Sequence, residues 1–168
     1  MEGKKVALLG FGDIGFNIAK RLVAADVQVI AYDPAVEGTK GLEGVSRSEW
    51  PERVAEADFI VLTCSLNRAT FHIVSAELLE QCKDGVKIVN VARGALIDEE
   101  ALVGALSSGK VSAAALDVFE LEPLPTSSAL RDFPQCIFGS HNGSNTKDAV
   151  IRTSHQAIKK LHGFLYDA

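Results

Sequence analysis

The run "KKVALLGFGDIGFNIAKRLVAADVQVIAYD", Lys4 to Asp33, restricts the possible folds more than any other stretch of the chain. An apolar, β-branched segment leads into Gly10, Gly12 and Gly15. A helical pattern opens among them, with Ile14, Ile18, Leu22 and Ala25 at helical spacing. In a strand, glycine turn and helix so ordered, Gly10 permits the tight turn and Gly12 lets the backbone approach a pyrophosphate. Gly15 lets helix and strand pack closely. The phosphates then rest on the N–H groups at the helix start. Asp33 ends the following strand, where a carboxylate accepts hydrogen bonds from a ribose diol. A glycine triplet alone reads only as a tight strand–helix turn; the four features in register predict a dinucleotide site. The Asp33 charge repels a 2′-phosphate, and Pro34 and Ala35 offer no arginine to receive one. The expected cofactor is therefore NAD rather than NADP.

After "KVALL" come "VQVIAY", "DFIVLTC", "VKIVNVA", "SAAALDV" and "CIFGS", separated by stretches that can each hold a helix. These segments are nearly apolar throughout, as expected of parallel strands covered on both faces. The expected fold is α/β: a doubly wound, mostly parallel Rossmann sheet with helices on both faces, in a single domain over residues 1–168. Helices are predicted over Asp13 to Ala25, from an Asp98 cap to a Gly109 stop, and from Thr146 to Tyr166. In the last, Val150, Ala157, Ile158, Leu161 and Phe164 form one apolar stripe. The one long irregular stretch is "FELEPLPTSSALRDFPQ", Phe119 to Gln135, and a long loop in a compact domain is usually functional.

A net charge of −5 and a pI of about 5.4 leave no basic face for a phosphate backbone, so no nucleic-acid partner is expected. No apolar run approaches the ~20 residues that span a bilayer, and no signal-peptide core stands at the start; the expected location is the cytoplasm. Cys64, Cys82 and Cys136 are odd in number, far apart and without a C-x-x-C pair, which predicts free thiols. His155 and His162 lie seven apart on the last helix and read as a solvated face. No metal site is expected, and His72 is assigned no role.

A second constellation lies downstream. "NVARG" sets Arg93 just past a strand end, where it can fork onto a carboxylate. "LDVFELEP" ends another strand with Asp117, Glu120 and Glu122, and "SHNGS" follows a third with His141. Singly these read as well as a surface salt bridge, a solvated acidic loop and a polar-loop histidine. Together, at the carboxyl edge of one sheet, they offer a carboxylate binder, an acid/base and its partner. A carboxylate beside the imidazole favours its charged form and keeps a proton at hand near neutral pH.

With these motifs at this spacing, the chain resembles, almost end to end, the cofactor-binding domain of the D-isomer-specific 2-hydroxyacid dehydrogenases. It departs from the common family pattern at Ser65 and Ser140, where prolines are usual. The resemblance implies hydride transfer between NAD(H) and a small 2-oxo or 2-hydroxy acid. It assigns Arg93 to the substrate carboxylate and carbonyl, His141 to proton transfer, and Glu122, not Glu120, to pairing with His141. Cofactor contacts are implied at Gly10, Gly12, Asp13, Ile14, Gly15 and Asp33 and, on the adenosine side, at Cys64 and Thr70. Val91, Ala92, Arg93, Asp117, His141, Gly143 and Ser144 complete that implied set, with Asp117 on the nicotinamide carboxamide. It implies also a homodimer through this domain, and a substrate domain that this chain lacks, so that turnover by the chain alone is weak or nil. The alternative is a non-enzymatic NAD(H)-sensing or dimerisation module, against which the presence of Arg93, Glu122 and His141 together speaks.

Overall fold

The computed structural model describes residues 2–166, so the outermost limits of the expected 1–168 domain lie outside the described residues. Seven strands form one parallel sheet: β1 Lys5–Leu9, β2 Gln28–Tyr32, β3 Val45–Arg47, β4 Phe59–Leu62, β5 Val86–Asn90, β6 Val111–Leu116 and β7 Cys136–Phe138. Their order is β3-β2-β1-β4-β5-β6-β7. The winding reverses between β1 and β4, and a crevice opens there beyond the strand carboxyl ends. Leu9 is in register with Tyr32 on one side and Leu62 on the other, so Gly10, Asp33 and Thr63 emerge side by side.

Four α-helices accompany the sheet: α1 Asp13–Val23, α2 Ala76–Gln81, α3 Glu99–Ser108 and α4 Lys147–Tyr166. Helix α1 sets Phe16, Ile18, Leu22 and Val23 against Val6, Leu8, Val29, Ala31 and Val61 on one face. On the other face α2 and α3 add Leu78, Leu79, Leu102, Ala105 and Leu106 to a core of Ala7, Leu9, Ile30, Ile60, Leu62 and Ile88. Fully buried leucines and isoleucines such as Leu8, Ile30 and Ile60 contribute about 1.5–3 kcal/mol each relative to exposure. Helix α3 starts and stops where its sequence predicts: Asp98 accepts from the Ala101 N–H at 3.0 Å, and Gly109 adopts φ 79°.

Helices lie on both faces of the sheet, as expected, but the two layers are unequal. Strands β1, β2 and β4 are buried on both faces, but Lys87 of β5 is exposed and Val89, Ala113 and Ala115 are half-buried. Among the described residues no helix seals that part of the sheet, and α4 buries none of its residues. Short 3-10 turns, Val54–Glu56 and Ala129–Asp132, stand before β4 and β7. The second of these lies inside the proline-bearing loop Phe119 to Gln135, whose prolines lack the N–H a helix interior needs. Helix α1 ends two residues earlier than its apolar spacing suggests, since Asp26 turns left-handed at φ 57° and Val27 N–H bonds back to Leu22 O.

Candidate active site and cofactor groove

The three glycines of the first turn meet different demands. Gly10 has φ 92°, and a Cβ there would stand 2.6 Å from the Cys64 nitrogen. One on Gly15 would stand 2.0 Å from the Gly10 oxygen, so the fold itself requires both glycines. Gly12 is extended, at φ −70°, and nothing lies within 4 Å of where its Cβ would be. The protein thus leaves open space in front of Gly12, beside the start of α1, which has no side-chain cap. Uncapped N–H groups at a helix start, Asp13 and Ile14 among them, suit a pyrophosphate. Ile14 is exposed over the same groove and lines a cleft of about 450 Å³ with Thr63, Cys64, Val91, Ala92 and Arg93.

Asp33 sits at the rim, its Oδ2 accepting from Phe11 N–H at 2.7 Å and its Oδ1 from Ala35 N–H at 2.9 Å. Each oxygen keeps a further lone pair, so the carboxylate is oriented and still able to accept from a diol. Beyond it a cavity of about 560 Å³ is lined by Leu9, Tyr32, Trp50, Cys64, Thr70 and Ile73 among others. Asp33 stands at the mouth of this hollow, and Arg47, Ser48 and Glu49 add polar groups to its otherwise apolar wall. Its wall is rigid: Tyr32 meets Trp50 edge to face at 5.1 Å and donates its hydroxyl to Glu52 O at 2.6 Å. Burial pushes the Tyr32 phenol up to about 12 and raises the Cys64 thiol, so both stay protonated at neutral pH. Thr70 Oγ1 donates to Ser65 O at 2.8 Å and accepts from Asn67 N–H at 2.8 Å, which folds the loop along the pocket edge.

Across the switch point, three strand ends converge. His141 Nδ1 lies 2.7 Å from Glu122 Oε2, and Glu122 Oε1 accepts from Phe119 N–H at 3.0 Å. The His141 hydrogen bond, then the Phe119 N–H, and more weakly the Arg93 charge hold the Glu122 carboxyl below its usual range. The Glu122 carboxylate is thus ionised and aimed at the imidazole. Arg93 is exposed, and among the described residues it forms no salt bridge; its guanidinium donates to Ala92 O at 2.5 Å. Asp117 supports this edge: its backbone carbonyl accepts from His141 N–H at 2.8 Å and its Oδ2 from Gly143 N–H at 3.0 Å. His141 therefore stands on a loop pinned by Asp117, at φ 55°, beside a cavity of about 520 Å³ lined by Glu122, Leu124, Arg131 and Phe138. Gly143 and Ser144 continue that loop and are exposed.

Residue-by-residue reading missed two supports. Asn90 is wholly buried; its Oδ1 accepts from Ala92 N–H at 3.0 Å and its Nδ2 donates to Arg93 O at 2.8 Å, which fixes the loop that presents Arg93. The signal was available, since a polar residue ending an apolar strand demands buried partners. Lys40 was missed also: its Nζ donates to Phe11 O at 2.8 Å and lies 5.3 Å from the Phe11 ring centre, bracing the glycine turn from outside.

Residues 1–143 match the family model described as D-isomer specific 2-hydroxyacid dehydrogenase, NAD binding domain. The chain is 42% identical to a hydroxypyruvate reductase of Thermotoga maritima over 162 residues, 95% of this chain and 52% of that protein. It is 36% identical to a D-3-phosphoglycerate dehydrogenase of Bacillus subtilis, covering 98% of this chain and 31% of that one. The crystal structure of a glyoxylate reductase from Paecilomyes thermophila superposes with a TM-score of 0.89 at 35% identity, over 98% of this chain and 50% of that one. The chain thus spans about half the length of two of these relatives and a third of the other. It belongs to the D-isomer specific 2-hydroxyacid dehydrogenases, as their NAD binding domain.

Proposed function

We propose that this chain is the cofactor-binding and proton-transferring half of an enzyme that moves a hydride between NAD(H) and a small 2-hydroxy or 2-oxo acid. The observation that carries the reading is the 2.7 Å His141–Glu122 pair on the same sheet edge as an exposed Arg93 that forms no salt bridge among the described residues. The dinucleotide, when bound, supplies or accepts the hydride. Gly12 and the α1 N–H groups receive its pyrophosphate, Asp33 its ribose diol, and the hollow beside Cys64 and Thr70 its adenine. Val91, Ala92, Asp117, Gly143 and Ser144 flank the nicotinamide end.

Arg93 binds the substrate carboxylate and draws electron density from the neighbouring carbonyl. His141 has its Nδ1 committed to Glu122, which leaves Nε2 to face the substrate oxygen. In the reducing direction Nε2 gives up its proton to the oxygen that becomes the hydroxyl; in the oxidising direction it takes that proton back. Glu122, held ionised, stabilises the imidazolium and fixes the ring. A passive NAD(H)-sensing module has no use for this trio, which supports the catalytic reading.

A second unit that binds substrate and closes the cleft completes the enzyme; the relatives' greater length supports this. The chain also pairs with a second copy through this domain, for which the uncovered α4 stripe provides surface. Three unpaired cysteines fit a reducing cytoplasm. In the full-length protein, His141→Ala is expected to lower reduction of 2-oxo acids by about 10²–10⁴-fold while changing NADH affinity far less. Retained turnover contradicts the assignment.

A further inference from the structure

The acid/base pair depends on a turn that is anchored on its far side. Glu122 meets His141 while the turn from Phe119 keeps its shape, closed by the Phe119 N–H bond to Glu122 Oε1. Glu120, inside the turn, is tied reciprocally to the start of α3. Its N–H donates to Glu99 Oε1 at 2.7 Å, and its Oε1 accepts from Glu99 N–H at 3.1 Å. From the opposite side His72 closes in, with Nε2 3.0 Å from Glu120 Oε1 and Nδ1 4.0 Å from Asp98 Oδ2.

His72 is itself firmly placed. Its ring stacks on Phe71 with centres 4.0 Å apart, its N–H donates to Ala95 O at 2.9 Å, and its backbone is left-handed at φ 49°. Nε2 is shielded from solvent and lies off the line of a straight hydrogen bond, so it meets Glu120 in a close polar contact. His72, Asp98 and Glu120 are spaced closely enough to resemble a metal cluster. A direct pair explains them more simply, because Glu120 Oε1 already serves Glu99 N–H and touches the imidazole.

We propose that His72 is a positioning residue of the reaction: it holds Glu120 in place, and through Glu120 the turn that presents Glu122 to His141. Thr70, two residues before it, lines the adenosine cavity, so the same contact joins the cofactor-side loop to the acid/base turn. The chemical meaning of this role rests on the dehydrogenase reading, but its test needs no cofactor.

The side-chain carboxyl carbons of the chain are followed by NMR through a pH titration, without NADH, in wild type, His72→Ala, His72→Gln and Glu120→Gln. Glu120→Gln keeps an acceptor for Glu99 N–H and removes the charge that His72 faces. In wild type Glu122 titrates below the usual carboxylate range. His72→Ala and Glu120→Gln are expected to raise that midpoint by about half a unit or more as the His141 contact loosens. His72→Gln, which keeps a donor, recovers part of the shift. Should His72→Ala fail to fold, the Glu122 midpoint in Glu120→Gln decides the matter. An unchanged Glu122 midpoint in a folded variant overturns the proposal even where the melting temperature falls, because a merely structural His72 would alter stability alone. Failure to bind NADH would overturn the dehydrogenase reading and leave this titration unaffected.

Discussion

A Cβ on Gly94 would stand 1.9 Å from the Phe119 carbonyl carbon and 2.4 Å from the Glu120 nitrogen. The Arg93 loop and the Glu122 turn therefore touch backbone to backbone, and only glycine permits it. Gly94→Ala must part the two loops. We expect it to destabilise the fold by about 1–3 kcal/mol in urea denaturation, the usual cost of forcing atoms into packed space; wild-type stability would show that the loops are not in contact. This demand was not legible in the sequence, because it comes from a segment distant along the chain. Gly10, Gly12 and Gly15 were legible because their partners are local, a strand before and a helix after. The motif gives Gly10 to the turn, Gly15 to the packing and Gly12 to the ligand, and in the structure a Cβ would clash at Gly10 and Gly15 while Gly12 faces open space. The glutamate that meets His141 is Glu122, while Glu120 turns to His72 and Glu99. Nothing in the spacing of "FELEP" distinguishes the two; the resemblance named Glu122, and the position of the turn explains it.

At the scale of elements, six strands were readable as β-branched apolar runs, and α3 as a helix from its Asp98 cap to Gly109. Strand β3 was not: Val45, Ser46 and Arg47 are each half-buried, pair only with β2 and carry no apolar pattern. The stripe along α4 was readable, but not that it stays uncovered among the described residues. Ile158, Leu161 and Phe164 are 65%, 59% and 78% exposed, and an apolar helical face of this kind is stabilised by burial against another surface. We expect light scattering of the chain at high concentration to give the mass of a dimer, and Leu161→Glu with Phe164→Glu to return it to a monomer. A wild type that stays strictly monomeric counts against pairing through this domain.

Across the whole molecule, the order of the strands converts separate motifs into one site. The reversal between β1 and β4 puts the glycine turn and Asp33 on one side of the crevice and Arg93, Glu122 and His141 on the other, so a single extended ligand can reach both. Alternation of strands and helices made this architecture legible; the half-covered face over β5 and β6 was not, since apolar strands look alike whether or not a helix lies above them. The central claim is that the open space before Gly12 receives a dinucleotide. Calorimetric titration of wild type and Gly12→Val with NADH tests it most directly, because the substitution meets no protein atom and suits the extended backbone there. The expected result is saturable binding in the micromolar range by wild type, loss of that binding in Gly12→Val, and the same melting temperature for both. Equal affinity in the two proteins, or no binding by wild type, would contradict the account.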